Sequence, residues 1–165
     1  MLEQIKTYAD ENRDKKIAMF VDMDGVIADL DINDDIANNK ANVFLEKRPL
    51  KSVINILSKV SEIENIDLYI LSACGYRNQA VDKSEWLSIH APFFKKENQI
   101  YVVREVVNYT HETKTKIKTD NILDTLRDRD YDLAIYLEDE FLMLKMMQKK
   151  LGDKIMCIHI SSFIK

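Results

Sequence analysis

The sequence predicts an α/β fold in three layers, with a parallel sheet between two layers of helices. The first observation is residues 17–21, an apolar run without a polar face, which is typical of a strand buried on both sides. The second is that such runs alternate with stretches of helical spacing, as in parallel sheets. The third is that 165 residues include only 3 glycines and 2 prolines, which leaves little room for long irregular segments.

The predicted elements follow in order along the chain. An N-terminal helix is expected over residues 1–14, where Leu2, Ile5 and Tyr8 recur at helical spacing. Residues 30–50 are rich in Asp, Asn and Lys, and we expect a loop there with a short helix or a small lid. Five apolar runs predict strands at residues 17–22, 67–72, 99–103, 132–137 and 154–160. Apolar stripes predict the remaining helices at residues 49–62, 78–89, 113–128 and 139–151.

The same stripes predict which helical side chains are buried. We expect these core positions: Val53, Ile54, Ile56, Leu57, Val60, Ala80, Val81, Trp86, Leu87, Ile117, Ile122, Leu123, Leu126, Met143, Met146 and Met147. A core of this extent fits a single domain over residues 1–165.

The composition is that of a soluble globular protein, with 46% hydrophobic and 32% charged residues. A net charge of −4 argues against broad electrostatic binding to nucleic acid. Cys74 and Cys157 lack the spacing of a zinc site, and no apolar run reaches the length of a membrane span. Because the N-terminus is too charged for a signal peptide, we expect a cytoplasmic protein without a membrane partner.

Two aspartates after the first strand are the strongest candidates for chemistry. Asp22 and Asp24 are two residues apart, so in extended chain their side chains point the same way. Gly25 permits a sharp exit from the strand. Two adjacent carboxylates are unfavourable unless a cation or a shared proton compensates their repulsion. The sequence therefore predicts a metal-assisted carboxylate site at the end of a strand, with a purely structural turn as the alternative.

Other strands bring polar residues to the same edge of the predicted sheet. Ser72 is the last residue of the second predicted strand, and Glu138 and Asp139 end the fourth. Ligands of open α/β sheets bind beyond the carboxyl ends of the strands, so we expect these groups to share one crevice. The set suits phosphoryl transfer, in which Asp22 attacks phosphorus to form an aspartyl-phosphate. Asp24 would protonate the leaving oxygen and then activate the hydrolytic water.

The predicted cofactor is Mg²⁺, which takes oxygen ligands. Its expected ligands are Asp22, the backbone carbonyl of Asp24, and Glu138 or Asp139, and it would screen the attacking carboxylate from the anionic phosphate. Ser72 and adjacent amides such as that of Ala73 would bind the phosphate oxygens.

A lysine is also needed to offset the charge of the phosphate. The candidates at the start of the helix predicted at residues 113–128 are Lys114, Lys116 and Lys118. Lys118 is favoured because the residues four and eight positions further on are apolar, which places it on the inward stripe.

These motifs resemble those of the haloacid dehalogenase (HAD) superfamily of phosphatases, over about residues 16–160. The first motif is Asp22-x-Asp24-Gly25-Val26, the second is the apolar strand ending in Ser72, and the third is the lysine. The fourth motif is usually two aspartates, whereas this chain has Glu138-Asp139. The resemblance implies a Rossmann-like HAD domain. The intervals between the motifs are filled by predicted elements, so we expect no full cap domain.

Further likenesses suggest a nucleotide or a nucleic-acid end as the phosphorylated substrate. The first motif and residues 82–87 resemble those of 5′(3′)-deoxyribonucleotidases, which implies that Lys83 is a second phosphate ligand. Residues 103–105 resemble the phosphatase half of polynucleotide kinase-phosphatases, which implies a polynucleotide 3′-phosphatase as the alternative. Arg77 is a further phosphate-binding candidate, or only a solvated charge. The departure at Glu138 keeps open a non-catalytic phosphate-binding or protein-interaction module, and no oligomeric state is predicted.

Overall fold

The structure is a computed structural model that describes residues 1–30, 43–103 and 110–163. Within these residues, five parallel strands form one sheet in the order β3-β2-β1-β4-β5. The strands are β1 (Ile17–Val21), β2 (Ile66–Cys74), β3 (Gln99–Val103), β4 (Leu133–Glu138) and β5 (Ile155–His159). The predicted parallel α/β sheet is therefore confirmed.

Helices cover both faces of this sheet. They are α1 (Leu2–Glu11), α2 (Lys51–Val60), α3 (Arg77–His90), α4 (His111–Asp128) and α5 (Phe141–Leu151). Short 3-10 helices lie at Val43–Glu46, Lys96–Asn98, Gly152–Lys154 and Ile160–Phe163. Among the described helices, none combines the length and the apolar character that crossing a bilayer requires.

The side chains of β1 pack into the core on both faces of the sheet, and all five residues of the strand are fully buried. Ile17, Met19 and Val21 pack on the side covered by α1, α2 and α3. Ala18 and Phe20 pack on the other side, against α4 and α5. This alternation is the two-residue period of a strand, and burial of both faces explains why the sequence of β1 has no polar face.

Several predicted boundaries are wrong: α2 is shorter than residues 49–62 at both ends, and α4 begins at His111 rather than at residue 113. Two further boundaries are set by contacts with distant residues. The N-terminal helix ends at Glu11, not at residue 14, because the Asn65 side-chain amide donates to the carbonyls of Ala9, Asn12 and Lys15 and holds the chain in a turn. Strand β2 continues past residue 72 to Cys74, because β3 pairs with it along that stretch. Neither boundary is visible in local sequence, since each depends on a partner far along the chain.

Three predicted core residues are exposed instead: Val81, Leu123 and Met146. In α3 the buried stripe consists of Lys83, Trp86 and Leu87, so a lysine occupies the inward position and Val81 faces solvent. Of the possible lid at residues 30–50, residues 31–42 lie outside the described residues. Residues 104–105 of the string that resembles polynucleotide kinase-phosphatases lie outside them as well.

Candidate active site

The candidate site lies at the carboxyl edge of the sheet, where the strand order reverses between β1 and β4. Asp22 follows the last residue of β1, and its amide donates to the carbonyl of Leu137 in β4. Glu138 is the last residue of β4, and Asp139 follows it. Ser72 lies in β2, two residues before the end of that strand. Three neighbouring strands thus bring the predicted groups together at one edge.

A tight turn after β1 fixes the two aspartates. The carbonyl of Met23 accepts hydrogen bonds from the amides of Val26, Ile27 and Ala28. Gly25 has a φ of +71°, a conformation that side chains disfavour. A Cβ at this position would also overlap the carboxylate of Asp139. Glycine is therefore required both for the backbone conformation and for the approach of Asp139.

Asp22 is a buried carboxylate with one oxygen left available. Its side chain is only 10% exposed, and Oδ1 lies 3.2 Å from Lys118 Nζ. This ion pair lacks the alignment of a hydrogen bond, so Oδ1 is buried without a hydrogen-bond partner within residues 1–30, 43–103 and 110–163. Burial, and then the charge of Glu138, raise the pKa of Asp22 to about 7 in the metal-free chain. An oxygen in this condition is suited to a metal ion or to an electrophilic phosphorus.

Lys118 links Asp22 to a buried polar network. Its Nζ donates to Glu138 Oε2 at 2.9 Å and to the hydroxyl of Tyr136 at 3.0 Å. Burial alone would lower the pKa of Lys118, but Asp22, Tyr136 and Glu138 outweigh it and hold that pKa well above its ordinary value. Lys118 is therefore a permanent positive charge beside the Asp22 carboxylate.

Glu138 is saturated by donors within the chain. Its Oε2 accepts from Lys118 and from the Tyr136 hydroxyl, whose pKa burial raises well above its ordinary value, so the phenol keeps its proton. Its Oε1 accepts from the backbone amides of Asp139 and Glu140 at 3.1 and 3.4 Å. These contacts hold Glu138 in place. Asp139, in contrast, is only partly buried.

Asp22, Glu138 and Asp139 form a carboxylate cluster that fits a divalent cation. One oxygen of each lies within 4.8 Å of the others. Burial, and also the charge of Asp22, raise the pKa of Asp139. A bound cation would offset both effects, because it stabilises the ionised carboxylates. The unpartnered Asp22 Oδ1 and an all-oxygen ligand set both match the preferences of Mg²⁺.

His159 supports this cluster from β5. Its Nδ1 accepts from the amide of Ser161, so Nε2 carries the hydrogen and donates to the carbonyl of Asp139 at 2.8 Å. The sequence assigned no histidine to metal binding or catalysis, and His159 contacts the backbone of Asp139 rather than its carboxylate.

Asp24 lies outside the carboxylate cluster, between two lysines. Lys83 Nζ contacts Oδ2 at 2.5 Å, and Lys47 Nζ contacts Oδ1 at 3.1 Å. Burial alone would raise the pKa of Asp24, but Lys83 and then Lys47 outweigh it and hold that pKa below its ordinary value. The pKa values of the two aspartates of the motif are therefore shifted in opposite directions, although the residues are only two positions apart.

Lys83 is fully buried and joins Asp24 to the second strand. Besides Asp24, its Nζ donates to Ser72 Oγ at 2.9 Å and to the carbonyl of Ala73 at 2.7 Å. The structure thus brings the expected phosphate ligands Ser72, Ala73 and Lys83 together, bonded to one another.

The remaining predicted residues lie elsewhere. Lys114 pairs with Glu140, and Lys116 pairs with Asp120 on the surface of α4, so of the three candidate lysines it is Lys118 that reaches Asp22. Arg77 is exposed at the first residue of α3, and its phosphate-binding role stays a prediction.

Sequence reasoning missed Lys47 and Tyr136. Tyr136 lies two residues before Glu138 in β4, so the two-residue period of a strand could have placed it on the same face. Lys47 lies in a stretch without periodicity, and no local signal indicates its contact with Asp24.

Solved structures with a similar fold include the HAD domain of effector protein Lem4 from Legionella pneumophila. The TM-score is 0.58 at 13% sequence identity, over 87% of this chain and 85% of that one. The chain has the fold of a HAD domain. An inactive mutant of the Lem4 domain gives the same TM-score and identity over 88% of this chain and 85% of that one. No family model and no curated protein matches the chain. At this identity the likeness establishes the HAD fold that the motifs predicted, and the fold alone.

Proposed function

We propose that this chain is a Mg²⁺-dependent phosphomonoesterase that works through an aspartyl-phosphate on Asp22. The observation that carries the proposal is the buried carboxylate of Asp22, which clusters with two further carboxylates. Its Oδ1 pairs with Lys118 and has no hydrogen-bond partner among the residues that the structure describes. A structural turn would not need an unsatisfied carboxylate in a buried position, because such a group costs stability.

In the proposed reaction, Asp22 attacks phosphorus and the bond from phosphorus to the ester oxygen breaks. Lys118 offsets the negative charge that gathers around the nucleophile. Lys83 and Lys47 keep Asp24 ionised in the free protein, so Asp24 takes up a proton as the anionic ester binds and then gives it to the departing oxygen. Asp24 next takes a proton from the water that hydrolyses the aspartyl-phosphate and restores Asp22. Asp22 and Asp139 would hold Mg²⁺, with Glu138, whose oxygens are taken by donors of the chain, as a further negative charge beside it. The ion would supply charge screening between carboxylate and phosphate.

For the substrate we propose a nucleotide, as the resemblance to 5′(3′)-deoxyribonucleotidases implies, with a 3′-phosphorylated polynucleotide as the alternative. A panel separates them: 5′- and 3′-mononucleotides, deoxy and ribo, against 3′-phosphorylated oligonucleotides, with phosphate release measured for each. Preference for a monomer supports the nucleotidase, and preference for an oligonucleotide supports the alternative.

The catalytic proposal is tested with phenyl phosphate, because a phenolate leaving group makes a smaller demand on a proton donor than an alkoxide does. We expect Mg²⁺-dependent phosphate release that is lost in EDTA, and a loss of at least about a thousandfold in Asp22→Asn. Asp120→Asn is the matched control, because Asp120 is a surface carboxylate paired with Lys116 and Lys150.

Two results would contradict the proposal. Wild-type turnover in Asp22→Asn would show that another group is the nucleophile. A wild-type protein that binds orthophosphate but releases none from any ester would be a non-catalytic binding module on this fold.

A further inference from the structure

Both oxygens of Asp24 face a lysine, but the two lysines differ in burial and in the elements that hold them. Lys83 is completely buried, and its three contacts with Asp24, Ser72 and Ala73 match the three hydrogens of an ammonium group. A lysine bound in this way has no hydrogen left for a phosphate. Lys83 therefore acts as a positioning residue that holds Asp24 against β2.

Lys47 occupies the outer side of Asp24. Its side chain is 9% exposed, compared with 0% for that of Lys83. Its Nζ lies 3.1 Å from Asp24 Oδ1, the oxygen that does not contact Lys83. Oδ1 is therefore the oxygen of Asp24 on the side away from the Lys83 contact, and Lys47 lies next to it.

The position of Lys47 is fixed by α3. The indole Nε1 of Trp86 donates to the backbone carbonyl of Lys47 at 2.9 Å. Phe44 packs edge-on against Trp86 with ring centroids 5.9 Å apart, and its ring lies 5.5 Å from Lys47 Nζ. The amide of Lys47 donates to the carbonyl of Phe44, which closes the turn. We call residues 44–47 the Phe44–Lys47 turn. A surface lysine that met Asp24 by chance would not need this support.

The geometry points to Lys47 as the second cation that contacts the substrate, beside the scissile bond. This inference rests on the proposed function, in which the leaving oxygen approaches Asp24. An oxygen bonded to Oδ1 at about 2.8 Å lies at most about 6 Å from Lys47 Nζ, a distance that the flexible lysine side chain can close. Lys47 thus exchanges part of its contact with Asp24 for an oxygen of the phosphate ester, whereas Lys83 stays in place.

The test compares Lys47→Met with Lys83→Met in the Mg²⁺-loaded protein. For Lys47→Met we expect the KM for phenyl phosphate, and the dissociation constant of orthophosphate measured by calorimetry, to rise roughly tenfold to a hundredfold. The kcat should change little, because the contact that is lost is made equally in the ground state and in the transition state. Lys47→Arg should restore most of the affinity, since it keeps the charge. For Lys83→Met we expect the reverse pattern: kcat falls and KM changes little. The melting temperature of this variant should also be lower.

Lys59→Met is the control, because Lys59 is exposed in the last turn of α2. If Lys47→Met does not fold, Lys47→Gln gives the same comparison while keeping a hydrogen-bond donor for Asp24. A Lys47 variant that lowers kcat with KM and orthophosphate affinity unchanged would overturn the inference, and so would one that changes neither. If the wild-type protein hydrolyses no ester, the proposed function fails, and orthophosphate affinity alone decides the role of Lys47.

Discussion

Neutralising Asp22 should stabilise the metal-free protein even though it removes the proposed nucleophile. The fold raises the pKa of Asp22 from 3.8 to about 7, so the folded chain disfavours the carboxylate form. Each pKa unit corresponds to about 1.4 kcal/mol, which gives an upper value of about 4 kcal/mol for the cost of ionised Asp22. Asp22→Asn removes that cost, and Lys118 keeps Glu138 as its counter-charge.

The gain from Asp22→Asn should depend on pH in a defined direction. Below about pH 4 the carboxyl is protonated in both the folded and the unfolded chain, so its ionisation costs nothing. The cost grows as pH rises from about 4 to about 7 and is constant above that range. We therefore expect a gain of about 2 kcal/mol at pH 5 and up to about 4 kcal/mol at pH 8, measured by urea unfolding in EDTA.

Asp24→Asn is the matched control, with the opposite sign. Lys83 is fully buried and has Asp24 as its ion-pair partner, so removing that charge leaves a buried ammonium without compensation. We expect a loss of about 2 to 4 kcal/mol at neutral pH. The reasoning is refuted if both variants shift stability in the same direction, or if the gain in Asp22→Asn is the same at pH 5 and pH 8.

Three further predictions concern the support of the site. Gly25→Ala should lower the melting temperature more than Gly152→Ala does. Both glycines have a positive φ, but of these two positions a Cβ would meet other atoms at Gly25 and none at Gly152. Equal losses of melting temperature would contradict the overlap with Asp139. Tyr136→Phe should cost about 1 to 3 kcal/mol in urea unfolding, since Glu138 and Lys118 lose a buried partner, and an unchanged midpoint would argue against the network. Mg²⁺ at a hundred times its dissociation constant should stabilise the wild-type protein by about 2.7 kcal/mol. Asp139→Asn should abolish most of this gain, because Asp139 belongs to the carboxylate cluster. An equal gain in the wild type and the variant would place the ion elsewhere.

Local patterns predicted the parts of the fold that local physics determines. The apolar run of β1 and the strand Gln99–Val103 are visible in sequence because burial on a sheet dictates their composition. The meeting of Asp22 with Glu138 and Asp139 followed from one rule, that parallel strands end at the same edge of a sheet. Lys118 was favoured among three lysines because helical spacing placed it on the buried stripe, where it reaches Asp22.

Local sequence patterns could not predict the contacts between segments that are far apart along the chain. Helix α1 ends where Asn65, more than fifty residues away, bonds its last carbonyls. The resemblance to deoxyribonucleotidases implies a phosphate-binding role for Lys83, which no observation tests, and the acceptors that its ammonium meets in the structure depend on the position of α3 against β2. Lys47 has no signal in the sequence, because its contact with Asp24 depends on where Trp86 of α3 holds its backbone.

The hydrogen bond between Trp86 and Lys47 gives the chain a built-in optical reporter. Trp86 is its one tryptophan, is fully buried, and bonds the backbone of the segment that carries Lys47 to Asp24. Indole emission responds to the polarity and hydrogen bonding around the ring, so displacement of this segment would change the intrinsic fluorescence without any added label. Titration with orthophosphate while recording that emission would follow the segment directly in the unmodified protein.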